Sequence, residues 1–83
     1  MHFMPRIEFC LPDLGLDDQP ITLTAWLVRR GGRVTAGERI AEVLAGPATV
    51  DLPSPVDGIL IGRLVDEDEP LAVGQPLAVI ETP

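Results

Sequence analysis

Apolar residues take every second position over two early stretches of the chain. Ile7, Phe9 and Leu11 alternate with Glu8 and Cys10, and Ile21, Leu23, Ala25 and Leu27 alternate with Thr22, Thr24 and Trp26. A period of two is that of a half-buried strand, with one face toward a core and the other toward water. Ile59 to Leu64, broken only by Gly62 and Arg63, and Leu77 to Ile80 are mainly apolar runs of strand length. Turn-forming clusters separate these stretches: Leu11-Pro12-Asp13-Leu14-Gly15, Arg30-Gly31-Gly32-Arg33, Ala45-Gly46-Pro47-Ala48 and Ser54-Pro55-Val56-Asp57-Gly58. No long window carries helical spacing, and the nine prolines each remove a ladder donor. The pattern predicts an all-β chain with little or no helix. Trp26 and Cys10 are out of phase with their apolar neighbours. Trp26 is expected to be partly exposed or to mark a bulge, and Cys10 is assigned no function.

The pattern also repeats. Shifting the chain by 37 residues lays Val34-Thr35-Ala36-Gly37 and Ile40-Ala41 on Leu71-Ala72-Val73-Gly74 and Leu77-Ala78, with Val28 on Val65 and Val43 on Ile80. Each half reads as a strand, a polar loop, a short apolar-x-x-Gly turn and a second strand. Two copies are too few for a solenoid but can pair face to face. The reading is a compact β-sandwich or flattened barrel with approximate two-fold symmetry, each half contributing to both sheets.

Composition limits the core and the chemistry. Eighty-three residues make one small domain, and with two Phe, one Trp and no Tyr its core rests on Val, Leu, Ile and Ala. Residues 1–5 read as a flexible N-terminal extension, with His2 in solvent, and residues 6–83 as the single domain. No run approaches the length of a bilayer span and no signal-peptide pattern opens the chain, so the expected compartment is the cytoplasm; one cysteine agrees weakly. The net charge of −7 is unevenly spread. Residues 1–43 hold six acids and five arginines, and residues 44–83 hold seven acids and Arg63 alone. Nucleic acid and anionic membranes are therefore poor partners, and a basic surface on another protein is a better one.

One histidine, one cysteine and Ser54 in a turn supply no nucleophile–base set, so catalysis by this chain alone is not expected. Asp66-Glu67-Asp68-Glu69 lacks the spacing and the sharp glycine of a calcium loop, and no metal site is expected. Against the plain reading of a solvated loop stands the sharper one, an acidic docking surface. Arg29, Arg30 and Arg33 occupy the repeat-related loop with the opposite charge. An exposed pairing between the two loops would be worth little.

Leu11-Pro-Asp-Leu-Gly15, Trp26-Leu27-Val28, Gly32-x-Val34-x-x-Gly37, Ala41-Glu-Val43, Ala48-Thr-Val50, Pro53-Ser-Pro-Val-Asp-Gly58 and Val73-Gly-x-Pro-Leu-Ala-Val79 together resemble the lipoyl domain of the 2-oxo acid dehydrogenase dihydrolipoamide acyltransferases, in the biotinyl/lipoyl attachment family. The resemblance runs from about residue 6 to the end. It implies two four-stranded antiparallel sheets with an attachment lysine at a hairpin tip opposite the termini. The family tip reads roughly Glu-Thr-Asp-Lys-Ala-Thr-Val. Here the stretch is Leu44-Ala45-Gly46-Pro47-Ala48-Thr49-Val50, so Gly46 falls on the aspartate and Pro47 on the lysine. There is no lysine anywhere in the chain.

Attachment of either cofactor joins a carboxyl group to a side-chain amine that has lost its proton. Lysine provides that amine; arginine stays protonated and proline has none. No lipoyl or biotinyl cofactor is therefore expected. Proline is also disfavoured at the third position of the commonest turns, so the turn is expected to shift to Gly46-Pro47-Ala48-Thr49 in preference to a cis Gly46-Pro47 bond. Two functions follow from the resemblance. One is a non-lipoylatable interaction or scaffolding module that docks on a 2-oxo acid dehydrogenase subunit or acyltransferase through Asp66, Glu67, Asp68 and Glu69. The other is an N-terminal or accessory domain of an acyltransferase whose carrier lysine lies on another domain or chain.

Overall fold

A computed structural model of the chain describes residues 4–16 and 18–83. The expected N-terminal extension, His2 included, lies for residues 1–3 outside the described residues.

The alternating and apolar stretches form strands: β1 (Arg6–Cys10), β2 (Ile21–Trp26), β3 (Arg33–Val34), β4 (Arg39–Ala45), β5 (Ala48–Pro53), β6 (Gly58–Arg63), β7 (Pro70–Leu71) and β8 (Pro76–Glu81). They pair into two four-stranded sheets, β1-β8-β6-β3 and β5-β4-β2-β7, antiparallel throughout. Adding four to each strand number, cyclically, turns one sheet order into the other, so the internal repeat is a two-fold relation between sheets. The 37-residue offset relates β2 to β6, β3 to β7 and β4 to β8. It lapses between β1 and β5 because residues 11–20 make a longer link than residues 54–57.

The inward faces of both sheets close on one core. Leu23, Ile40, Val43, Leu60, Leu77 and Ile80 are fully buried there, with Phe9, Leu11, Val34, Leu52 and Val65 around them. At roughly 1.5–3 kcal/mol for each large aliphatic side chain, this burial is the main force holding the sheets together.

Trp26 and Leu27 depart from the simple alternation for a local reason. β2 carries a bulge between Leu23 and Ala25, and β6 carries one between Leu60 and Gly62, the repeat-related place. A bulge inserts one residue and reverses the facing of those beyond it. Trp26 is thereby half-buried, with its Nε1–H donating to the Val65 carbonyl at 3.0 Å, while Leu27 is 46% exposed. Leu64 is also outside its expected strand and half exposed, because β6 ends at Arg63.

Candidate functional site

The hairpin joining β4 to β5 has a two-residue tip. Ala45 is opposite Ala48, leaving Gly46 and Pro47 as its only loop residues. Gly46 has φ +57 and no described peptide bond is cis. Proline holds φ near about −65°, so only the first central residue is left-handed, the signature of a type II′ turn. The expected shift to Gly46–Thr49 does not occur. Proline is excluded from the third position of a type I turn because it denies its predecessor the right-handed helical region. A glycine predecessor with positive φ needs no such region. The tip thus keeps the tight hairpin twist by coupling Gly46 to Pro47.

The long β1–β2 link braces this tip. The Gly46 N–H donates to the Pro20 carbonyl at 3.0 Å, and Gln19 lies across Gly46 where a Cβ would project, with the Gln19 amide carbon 3.0 Å from that point. Beside them a shallow groove between the link and β7 is lined by Leu14, Leu16, Gln19, Ile21, Leu71 and Val73. Sequence reasoning missed Gln19 and Pro20, because no local pattern marks residues that meet the tip only once the sheets have formed. The tip and the β1–β8 ends near Pro5 and Thr82 are related by the internal two-fold.

Pro47 and Thr49 are exposed and Ala48 is half-buried. The groups on offer are a pyrrolidine ring, a methyl, a hydroxyl and the Gln19 amide. None is an amine, so the residues present do not fit an amide-linked lipoyl or biotinyl group.

Asp66, Glu67, Asp68 and Glu69 lie beside β2. The Asp68 N–H donates to the Leu23 carbonyl at 2.7 Å, and the Leu23 N–H donates to the Glu69 carbonyl at 3.1 Å. Two of the four carboxylates serve the local backbone: Glu69 Oε2 accepts from the Asp66 N–H at 2.8 Å, and Glu67 Oε2 accepts from the Trp26 N–H at 3.0 Å. Asp66 and Asp68 remain exposed. Asp68 has φ +70 and its repeat mate Gly31 has φ +87, so one backbone shape serves both loops. Arg29, Arg30 and Arg33 are exposed around Gly31. Among the described residues they form no ion pair with the acidic loop; Arg6–Glu81 and Arg39–Asp51 are the pairs formed. Arg63 instead lies over Trp26, 5.8 Å from the ring centroid.

The family model described as "Biotin-requiring enzyme" matches residues 7–80. The chain belongs to the biotin and lipoyl attachment family. Among its relatives is the dihydrolipoyllysine-residue acetyltransferase component of the pyruvate dehydrogenase complex of Staphylococcus epidermidis, 33% identical over 92% of this chain and 18% of that protein. The lipoamide acyltransferase component of the branched-chain alpha-keto acid dehydrogenase complex is similar from Bos taurus, 33% identical over 92% of this chain and 16% of that protein. Its Pseudomonas putida counterpart is 34% identical over 86% of this chain and 17% of that protein. The chain spans about a sixth of the length of these relatives. Its all-β pair of four-stranded sheets is the fold the lipoyl resemblance implies. Among the described residues no helix is long and apolar enough to cross a membrane, and no group of three His, Cys, Asp or Glu is placed to hold a metal.

Proposed function

We propose that this chain is a non-lipoylatable member of its family, one that works as a protein-interaction or scaffolding module beside a 2-oxo acid dehydrogenase-type complex. One observation carries the reading. The attachment-domain scaffold persists from residue 7 to residue 80, while its hairpin tip is Gly46-Pro47 and none of the 83 residues is a lysine. Pro47 is taken to stand at the family's lysine position and Gly46 at its aspartate position. The module then binds by shape and charge where a carrier binds by shape and delivers an acyl group. It carries neither lipoyl nor biotin, and catalyses nothing by itself.

The contact surface of this reading is the acidic loop, with Asp66 and Asp68 as the carboxylates free to meet a basic partner. The partner is a 2-oxo acid dehydrogenase subunit or acyltransferase. Binding to such a subunit should weaken with added salt and in Asp66→Asn/Asp68→Asn, a change that leaves the backbone-bound Glu67 and Glu69 in place. Binding insensitive to both, or no binding, refutes the docking role. The small share of each relative that the chain covers favours a second reading, an accessory or terminal domain of an acyltransferase whose carrier lysine sits on another domain or chain. A catalytic acyltransferase domain in the same polypeptide would favour the second.

A further inference from the structure

Four strand edges border the two sheets: β1 and β3 on one, β5 and β7 on the other. β3 and β7 are two residues long, and β7 begins at Pro70. β1 is longer and carries no proline. Its pairing with β8 fixes which of its main-chain groups face outward. The Thr82 N–H donates to the Pro5 carbonyl at 2.8 Å, and Arg6, Ile7 and Glu8 lie opposite Glu81, Ile80 and Val79. Hydrogen-bonded pairs alternate along an antiparallel ladder. Pro5, Ile7 and Phe9 therefore turn their main-chain groups toward β8, and Arg6 and Glu8 turn theirs to the open edge. The Arg6 and Glu8 side chains are both exposed and share the solvent face, while Phe9 is buried on the other.

We propose that β1 is the edge through which two copies of this chain pair, antiparallel, about a two-fold axis at Ile7. In this register Arg6 of each copy is opposite Glu8 of the other, and Ile7 meets Ile7. The outward N–H and C=O groups of Arg6 and Glu8 meet as two hydrogen-bonded pairs, and the two sheets continue into one. Opposite charges directly across an antiparallel pair are favourable and like charges are not. The neighbouring in-phase registers are disfavoured on that ground: centring on Glu8 sets Glu8 against Glu8, and centring on Arg6 sets Arg6 against Arg6. Arg6 already meets its own Glu81 at 3.3 Å, but its side chain is 67% exposed, which leaves its remaining donors free for a second carboxylate.

The internal two-fold supplies a comparison within the same molecule. β5 is the mate of β1, and its outward residues are Thr49 and Asp51. Self-pairing there opposes no unlike charges, Asp51 is already held by Arg39 at 3.0 Å, and Pro53 lacks a donor. Complementarity to a second copy thus belongs to β1 alone of the two long edges. The charge of −7 on each copy opposes association at long range, but is screened beyond about 8 Å at physiological salt.

Sedimentation velocity on the full chain at physiological salt, across a wide concentration range, tests this. The wild type should show a monomer–dimer equilibrium. Glu8→Arg turns two attractive cross-strand pairs into repulsive ones and should weaken the dimer by about tenfold. Arg6→Glu should do the same, and the double exchange Arg6→Glu/Glu8→Arg should recover dimerisation. Because Arg6→Glu also disturbs the contact with Glu81, Glu8→Pro serves as a second probe: it removes an outward donor without touching the β1–β8 ladder, and should abolish the dimer while the thermal melt stays cooperative. A wild type that is monomeric throughout, a dimer indifferent to Glu8→Arg, or a double exchange that fails to recover would each overturn the pairing.

Discussion

Replacing Gly46 with alanine tests the reading of the hairpin tip most sharply. The change adds one methyl group at a residue whose φ is +57, at the first central position of a type II′ turn, a conformation that costs an ordinary L-residue about 1–3 kcal/mol relative to glycine. It also drives that methyl into the Gln19 side chain, whose amide carbon is 3.0 Å from the new atom's position and whose Cγ is 3.3 Å away. Gln19 is exposed and can swing aside, so the steric part should be the smaller one. Gly46→Ala should therefore destabilise the domain by about 1–3 kcal/mol, or roughly 4–8 °C in Tm per kcal/mol at this size. In a Gln19→Ala background most of that cost should remain, because the backbone strain does not depend on Gln19. Urea unfolding followed by Trp26 fluorescence measures both. A loss below about 0.3 kcal/mol, or one that vanishes with Gln19→Ala, would show that no left-handed conformation is required at the tip.

Other consequences follow from particular residues. Pro47→Ala should cost about 0.4–1 kcal/mol through the freer unfolded chain, with no change in fold by far-UV circular dichroism. Asp68→Gly should be neutral or slightly stabilising in thermal melts, since it relieves a left-handed residue at φ +70, whereas Asp68→Val should cost about 1–2 kcal/mol. Ser54 is 3% exposed and its hydroxyl donates to the Val56 carbonyl at 2.6 Å, so Ser54→Ala should cost about 1–3 kcal/mol by chemical denaturation. Leu60→Ala should cost about 2–5 kcal/mol at the centre of the core.

Much of this fold is legible in the sequence because its two strongest signals are local or repeated. Alternation in Ile7 to Leu11 and Ile21 to Leu27 marks strands, and the 37-residue repeat relates β2, β3 and β4 to β6, β7 and β8. Alternation fails beyond Leu23, where the bulge reverses the facing of Trp26; the out-of-phase Trp26 is the trace that this bulge leaves in the sequence. The tip shows a similar limit. A rule for proline in turns, applied alone, misplaces the turn at Pro47, because the conformation depends on Gly46 and on Pro20, which reaches it across the fold. The acidic run at Asp66 to Glu69 is plain in the sequence, but the diversion of Glu67 and Glu69 to backbone N–H groups is not. Glu67 meets the Trp26 N–H only when β2 lies beside the loop, whereas Glu69 closes on the Asp66 N–H within the loop itself.

The proposed function requires that the attachment chemistry be lost while the scaffold remains. Intact-mass measurement after co-expression with lipoyl and biotin ligases tests it directly, with an authentic lipoyl domain and an authentic biotinyl domain in parallel as positive controls. The wild-type chain should emerge at its unmodified mass while both controls gain their cofactor. A lipoyl or biotinyl mass increase on this lysine-free chain would contradict the account.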